Sequence, residues 1–177
     1  MKKLTYCLLA TVALAASGIA GTEVVRSGKD YKTPAPEPCF KDVELQLDVF
    51  GSYTNTVDRS RYSDGWGGGV ALNYFFTRYI GLGGGFNLYD GNAGGVWNVD
   101  ASVIARYPLE LGTFCIAPYI LGGGGVQTDG TTVGTWHAGG GLEWRATPSI
   151  GIFGEGRYTW AENSDSAQAR VGLRVIF

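Results

Sequence analysis

His137, the single histidine of the chain, is the side chain best suited to acid–base chemistry. Its neighbourhood, residues 136–140, reads WHAGG, and no serine follows the histidine two residues later. Catalysis by a Ser–His–acid triad needs an orienting carboxylate within hydrogen-bond reach of the imidazole. Glu143 or Glu155 would supply that carboxylate only by an accident of strand register. The sequence therefore predicts a structural histidine and no catalytic residues.

Glycine clusters are the other feature with chemical potential, because glycine-rich loops can cradle phosphates. Of the 177 residues 29 are glycine, yet no cluster completes a dinucleotide-binding or Walker motif, and none precedes a helical pattern. With 14 Lys and Arg against 16 Asp and Glu, the net charge is −2, and no basic stripe suits nucleic acid. These observations exclude nucleotide and nucleic-acid sites, and glycine without a collagen period indicates an all-β chain.

The N-terminus has the features of a secretory signal peptide. Lys2 and Lys3 precede an apolar stretch at 7–16, which is shorter than the roughly 20 residues of a membrane-spanning helix. Small side chains then lead to Ala20, after which we expect cleavage. We predict a signal peptide over 1–20, a Pro-containing periplasmic lead-in over 21–42, and an exported barrel over 43–177.

From Val43 to Phe177 apolar and polar residues alternate with a period of two, which is the pattern of half-buried strands. The connection at 108–113 is longer than the other turns at the same end, and Pro118 interrupts the fifth strand. The pattern predicts eight strands, at 43–54, 66–76, 79–89, 96–107, 114–126, 134–146, 150–160 and 167–177.

Alternation alone fits two opposite barrels. A lipocalin-like soluble barrel has its apolar face inside, whereas an outer-membrane barrel has it outside. Aromatic rings favour the second, because they gather near both strand ends, as at a membrane interface. The predicted upper belt is Tyr53, Trp66, Trp97, Trp136 and Trp160, and the predicted lower belt is Tyr74, Phe76, Tyr107, Phe114 and Trp144.

The strand charges share the parity opposite to the tryptophans and balance in number. Because side chains nearly fill an eight-stranded lumen, and unpaired buried charges are costly, we predict an internal ion-pair network and no open pore. Its members are Glu44, Asp48, Asp100, Glu143 and Glu155 with Arg106, Arg145, Arg157, Arg170 and Arg174.

Cys39 and Cys115 remain after the predicted cleavage, in a compartment where disulfides persist. Cys39 precedes the first strand and Cys115 opens the fifth, and both strands start at the same end. We predict a bridge between them that ties the lead-in across the barrel floor; free thiols or a bridge between molecules are the alternatives. One histidine and two separated cysteines do not make a zinc site, so no metal or cofactor is predicted.

Three segments carry a family resemblance: YFFTRYIGLG at 74–83, APYILGGG at 117–124 and ARVGLRVIF at 169–177. Together they resemble the OmpA/OmpX-like family of small outer-membrane β-barrels, over roughly 43–177. The resemblance implies an all-β, eight-stranded antiparallel up-and-down transmembrane barrel in the bacterial outer membrane, in contact with lipid and lipopolysaccharide. It also implies that the barrel-assembly machinery recognises the terminal strand through Phe177.

The predicted function is non-enzymatic, with a structural or surface-interaction role for a monomer. Loop 55–65, with Asp58, Arg59, Arg61, Tyr62 and Asp64, is the longest and most charged outer loop and the first place to seek a ligand. A barrel-embedded lipid A-modifying enzyme, a small-solute porin and a soluble ligand-binding barrel are the alternatives.

Overall fold

The computed structural model describes residues 38–57, 64–91, 94–112, 114–128, 131–162 and 165–177. The predicted signal peptide, the lead-in up to residue 37, and the loop residues Asp58, Arg59, Arg61 and Tyr62 lie outside this range. The strands are β1 Glu44–Thr56, β2 Gly65–Phe75, β3 Ile80–Gly91, β4 Gly94–Arg106, β5 Leu109–Leu111, β6 Phe114–Thr128, β7 Thr132–Thr147, β8 Ile150–Ala161 and β9 Ser166–Ile176.

Eight long strands close into an antiparallel barrel. Consecutive long strands pair as neighbours, β1 pairs with β9, and the β4–β6 pairing completes the circle. We call the end where β1 begins and β9 ends the lower end, and the opposite one the upper end. The predicted fold class is confirmed, with strand bounds that differ from the prediction by a few residues.

A ninth, short strand explains the long lower connection. The β4–β6 ladder ends at the Arg106–Tyr119 pair, after which Tyr107 N–H donates to the Pro118 carbonyl at 2.9 Å. Proline has no N–H with which to extend the ladder. The chain leaves β4 at this point, and β5 takes over the pairing with the first residues of β6. Gly112, with φ of 66°, makes the turn that joins β5 to β6, because glycine adopts this conformation readily.

The barrel has an apolar exterior and a polar interior. Outward side chains such as Leu72, Val103 and Leu173 are more than half exposed. Lumen-facing Gln46 and Glu143, by contrast, are fully buried. A soluble ligand-binding barrel needs the reverse arrangement, so that alternative is wrong. Among the described residues no helix is long and apolar enough to cross a membrane.

Aromatic rings lie on the exterior near both ends. At the upper end Trp66 and Trp136 are 76% and 73% exposed, and half-buried Tyr53 packs against Trp66 at 5.0 Å between ring centroids. At the lower end the rings of Phe114 and Trp144 lie 6.1 Å apart. The other exposed members of the two predicted belts are Trp97, Trp160, Tyr74, Phe76 and Tyr107.

Candidate functional site in the barrel lumen

All ten charged side chains predicted for the lumen point inward, and they divide into two groups. Their side chains are at most 8% exposed. Every second side chain of each strand faces the lumen, so residues from distant parts of the chain meet inside the closed barrel. The lower cluster is Glu44, Asp48, Arg106, Glu143, Arg145 and Arg174; the upper cluster is Asp100, Glu155, Arg157 and Arg170.

The lower cluster is centred on Glu44 at the start of β1. Arg106 of β4 donates to Glu44 Oε2 at 2.7 Å. Arg145 of β7 donates to both Glu44 oxygens at 2.8 and 2.7 Å, in the bidentate geometry that suits a guanidinium. Because β1, β4 and β7 are not neighbours, these pairs cross-link separate walls of the barrel.

The same cluster continues through Glu143 to Arg174. Arg145 Nε lies 2.6 Å from Glu143 Oε1, and Arg174 Nη1 lies 2.7 Å from Glu143 Oε2. Arg174 also donates from Nε and Nη2 to the two oxygens of Asp48, each at 2.7 Å, and Asn73 donates to the same carboxylate at 2.8 Å. The three carboxylates and three guanidiniums therefore form one continuous network rather than separate pairs.

The upper cluster is looser. Arg157 donates to Asp100 at 2.8 Å and contacts Glu155. Arg170 approaches Asp100 and Glu155 only to 3.7 and 3.9 Å, and its Nε donates to Gln168 instead. The charges of the cluster still balance, two against two.

Aromatic rings between the guanidiniums are the part of the lumen that the charge pattern did not predict. Arg106 lies 3.8 Å from the ring centroid of Phe75, and Arg174 lies 4.8 Å from that of Phe153. Arg170 stacks on Phe50 at 4.8 Å. Such cation–π contacts are favourable in desolvated sites. The signal was available, because Phe50 and Phe153 share the parity of the charged residues in their own strands, and Phe75 lies between the outward rings of Tyr74 and Phe76.

His137 meets a serine and a carboxylate that sequence spacing did not suggest. Ser102 Oγ lies 2.7 Å from His137 Nε2, and Asp100 Oδ1 lies 4.0 Å from the same nitrogen. A catalytic triad requires the acid on the other ring nitrogen. The three side chains are also buried within the barrel. The geometry supports hydrogen bonding within the lumen rather than nucleophilic catalysis.

Glycine on an intervening strand allows side chains of the two flanking strands to make contact. Gly123 stands in register between Ser102 and His137, and a Cβ there would lie 2.8 Å from Ser102 Cα. Gly141 stands in the same way between Tyr119 and Glu155, whose side chains share a 3.0 Å hydrogen bond. Gly123 and Gly141 therefore leave room for side chains of the flanking strands to meet inside the barrel.

At the floor, the structure joins Cys39 to Cys115 by a disulfide. Phe40 is buried beside Cys115 and Ala117 and lies 4.0 Å from the guanidinium of Arg145, measured to the ring centroid. At the opposite end of the sequence, Phe177 is 56% exposed, and its N–H donates to the Leu45 carbonyl at 2.9 Å.

Two small cavities lie in the lumen among the described residues. One cavity of about 10 Å³ lies beside the upper cluster, and another of about 10 Å³ lies between the two clusters. Each has room for about one water molecule. Within the part of the chain that the structure describes, no three His, Cys, Asp or Glu side chains gather as metal ligands.

Comparison with solved structures finds small outer-membrane barrels. Neisserial surface protein A superposes with a TM-score of 0.59 at 14% identity, over 76% of this chain and 97% of that one. The N-terminal barrel domain of Pseudomonas aeruginosa OprF gives 0.60 at 18%, over 78% and 99%. Ail, the attachment invasion locus protein of Yersinia pestis, gives 0.55 at 16%, over 77% and 99%.

No protein-family model and no curated sequence matches this chain. The likeness to these barrels is therefore one of fold. The chain has the fold of the small eight-stranded outer-membrane β-barrels, the OmpA/OmpX-like group that its strand motifs resemble.

Proposed function

We propose that this protein is a non-enzymatic outer-membrane barrel with a structural or surface-interaction role, and that its lumen is closed to solutes. The observation that carries the proposal is the lower cluster, which links β1, β4, β7 and β9 across the lumen by ion pairs of 2.6 to 2.8 Å. A solute would have to break several of these pairs in a low-dielectric interior, which is costly.

Planar-bilayer recording tests the closed lumen. We expect the purified protein to give no large, stable conductance step, because the lower cluster crosses the lumen and the cavities beside and above it each hold about one water molecule. The Arg174→Ala variant is the matched comparison, since it removes the side chain that joins Asp48 to Glu143 in the lower cluster. Large and stable steps in the unmodified protein would favour the small-solute porin.

Outer-membrane placement is supported by the apolar exterior and by the aromatic rings near both of its ends. Outer-membrane lipid and lipopolysaccharide would contact this face, and the barrel-assembly machinery would engage β9 through Phe177. Fractionation and heat-modifiable migration in SDS test these assignments, and a single species in cross-linking tests the monomer.

A surface-interaction role would be carried by the upper loops. The Yersinia pestis barrel Ail, similar in fold, is known in complex with the heparin analogue sucrose octasulfate. Loop 55–65 combines two arginines with aspartates and is the segment we assign to such contacts. Surface labelling of this loop in intact cells, followed by its replacement with a short Gly-Ser linker, tests the assignment through loss of binding to cells or sulfated sugars.

The lipid A-modifying alternative has its own test. We expect the His137→Ala variant to leave the acylation pattern of lipid A unchanged, because Ser102 and His137 are buried and Asp100 faces the wrong ring nitrogen. Mass spectrometry of lipid A from cells with the unmodified protein, the variant or neither measures this. A modification that depends on His137 would show that the barrel is an enzyme.

A further inference from the structure

Residues 38–41, which precede β1, close the lower end of the lumen; we call this segment the strap. The disulfide ties Cys39 to Cys115 at the start of β6, 76 residues later in the chain. Phe40 is only 1% exposed, and its ring centroid lies 4.0 Å from the Arg145 guanidinium and 5.1 Å from that of Arg106. The strap therefore covers the two guanidiniums at the bottom of the lower cluster.

The backbone of the strap completes the hydrogen bonds of the same cluster. The Cys39 carbonyl accepts from Arg145, and the Lys41 carbonyl accepts from Arg106 at 3.4 Å. In the other direction, the Lys41 N–H donates to Glu44 Oε1 at 2.6 Å. Each of the three central side chains of the lower cluster thus gains a partner from the strap.

The strap belongs to no strand, and non-covalent contacts at one end of the barrel hold it beside the disulfide. These are its backbone hydrogen bonds to the lower cluster and the Phe40 ring, which packs against Cys115, Ala117 and the two guanidiniums. The conformational entropy of four residues of backbone opposes these contacts. A covalent link removes much of this cost, because it confines the segment near its site even when the contacts open.

We propose that the strap is a redox-dependent closure of the barrel floor, shut when Cys39 and Cys115 are oxidised and released when they are reduced. A dithiol reductant transfers two electrons and two protons to the bridge; the S–S bond breaks, two thiols form, and the reductant becomes its own disulfide. Release would admit water to Arg106, Arg145 and Glu44 and weaken their ion pairs. Closure would follow export, in a compartment that sustains disulfides.

Trypsin cleavage after Lys41 reports the state of the strap. The Lys41 side chain is exposed, but its backbone N–H and carbonyl are both held by the lower cluster, so the closed strap does not fit a protease site. In the folded protein in detergent or vesicles, we expect dithiothreitol to raise the cleavage rate at this bond by at least about tenfold. Mass spectrometry identifies the product as a barrel that begins at Asp42.

Two variants separate the disulfide from Phe40. The Cys39→Ser/Cys115→Ser protein should be cut rapidly with or without reductant, and Phe40→Ala, with its bridge intact, should be cut at an intermediate rate. Heat-modifiable migration in SDS establishes that each barrel is folded before digestion. Equal cleavage of oxidised and reduced protein, or rapid cleavage of the oxidised form, would overturn the proposal.

Discussion

The Glu44→Gln variant is expected to lose about 3 kcal/mol of its free energy of unfolding, the cost typical of breaking a buried ion network from one side. Glu44 accepts hydrogen bonds from Arg106 and from both terminal nitrogens of Arg145, and its side chain is fully buried. Glutamine preserves the shape but removes the charge, so two desolvated guanidiniums lose their shared counter-ion. Urea unfolding in lipid vesicles, followed by tryptophan fluorescence, measures the change.

Glu110→Gln is the matched control. Glu110 pairs with Arg78 at 2.8 Å, at the same end of the barrel, but both side chains are 33% exposed. Solvent-exposed pairs contribute about 0–1 kcal/mol, so we expect this change to be small. Adding Arg106→Met to Glu44→Gln should restore part of the lost stability, because it removes one of the stranded charges. Equal effects of Glu44→Gln and Glu110→Gln would contradict the role assigned to the lower cluster.

Gly141→Ala is expected to destabilise the barrel by about 3 kcal/mol, at the upper end of the usual cost of overpacking. A Cβ at Gly141 would clash with the backbone carbonyl oxygen of Gly154 and would lie 2.6 Å from the Tyr119 hydroxyl and ring, closer than real Cβ atoms approach. Tyr119 would have to move, and its 3.0 Å hydrogen bond to buried Glu155 would be lost. The same vesicle assay gives the free energy, and slower or incomplete heat-modifiable migration gives an independent measure.

Gly156 provides the comparison on the adjacent strand. It faces the exterior, and a Cβ there would meet nothing within 4 Å. We expect Gly156→Ala to change stability by less than about 1 kcal/mol, in either direction, because replacing glycine where space permits mainly restricts the unfolded chain. Similar losses of unfolding free energy in Gly141→Ala and Gly156→Ala would show that the effect of glycine comes from strand propensity and not from the space it leaves in the lumen.

The Glu44→Gln and Gly141→Ala variants both test how a barrel this small fills its interior without opening a pore. Arginine reaches across the lumen, aromatic rings cover its flat faces, and glycine on intermediate strands leaves room for side chains to meet. Phe50 and Phe153 repeat the arrangement, since their rings lie 6.3 Å apart with Gly172 in register between them. Residues that weaken strands in isolation are thus required by the packing inside the barrel.

Parity along each strand was readable from the sequence because it is a local property. Side chains alternate with a period of two wherever the chain is extended, so Glu143 and Arg145 share a face whatever lies opposite. The same rule assigns Phe50, Phe75 and Phe153 to the lumen, although attention to charge alone left them out. The interruption of the β4–β6 ladder could be predicted only in part. Pro118 indicated a missing backbone N–H, but the sequence did not show that β5 would pair with the first residues of β6.

The partners of each lumen residue could not be read in this way. Whether Ser102 or another residue meets His137 depends on the register of two ladders at once, β4–β6 and β6–β7, and the two residues are 35 positions apart in the chain. Register also decides which glycine stands between two side chains. These relations exist only once the strands have closed into a barrel.

By itself, the sequence determined the strands and their alternating faces, because both follow from the local period of extended backbone. The aromatic rings near both strand ends and the balanced charges of the opposite parity then indicated which face is outside. The tertiary structure alone decided that six charges form one lower network, that Arg170 is only loosely paired, and that Phe40 covers the floor. Closure and strand stagger together fix which side chains share a level of the lumen. No local pattern contains that information.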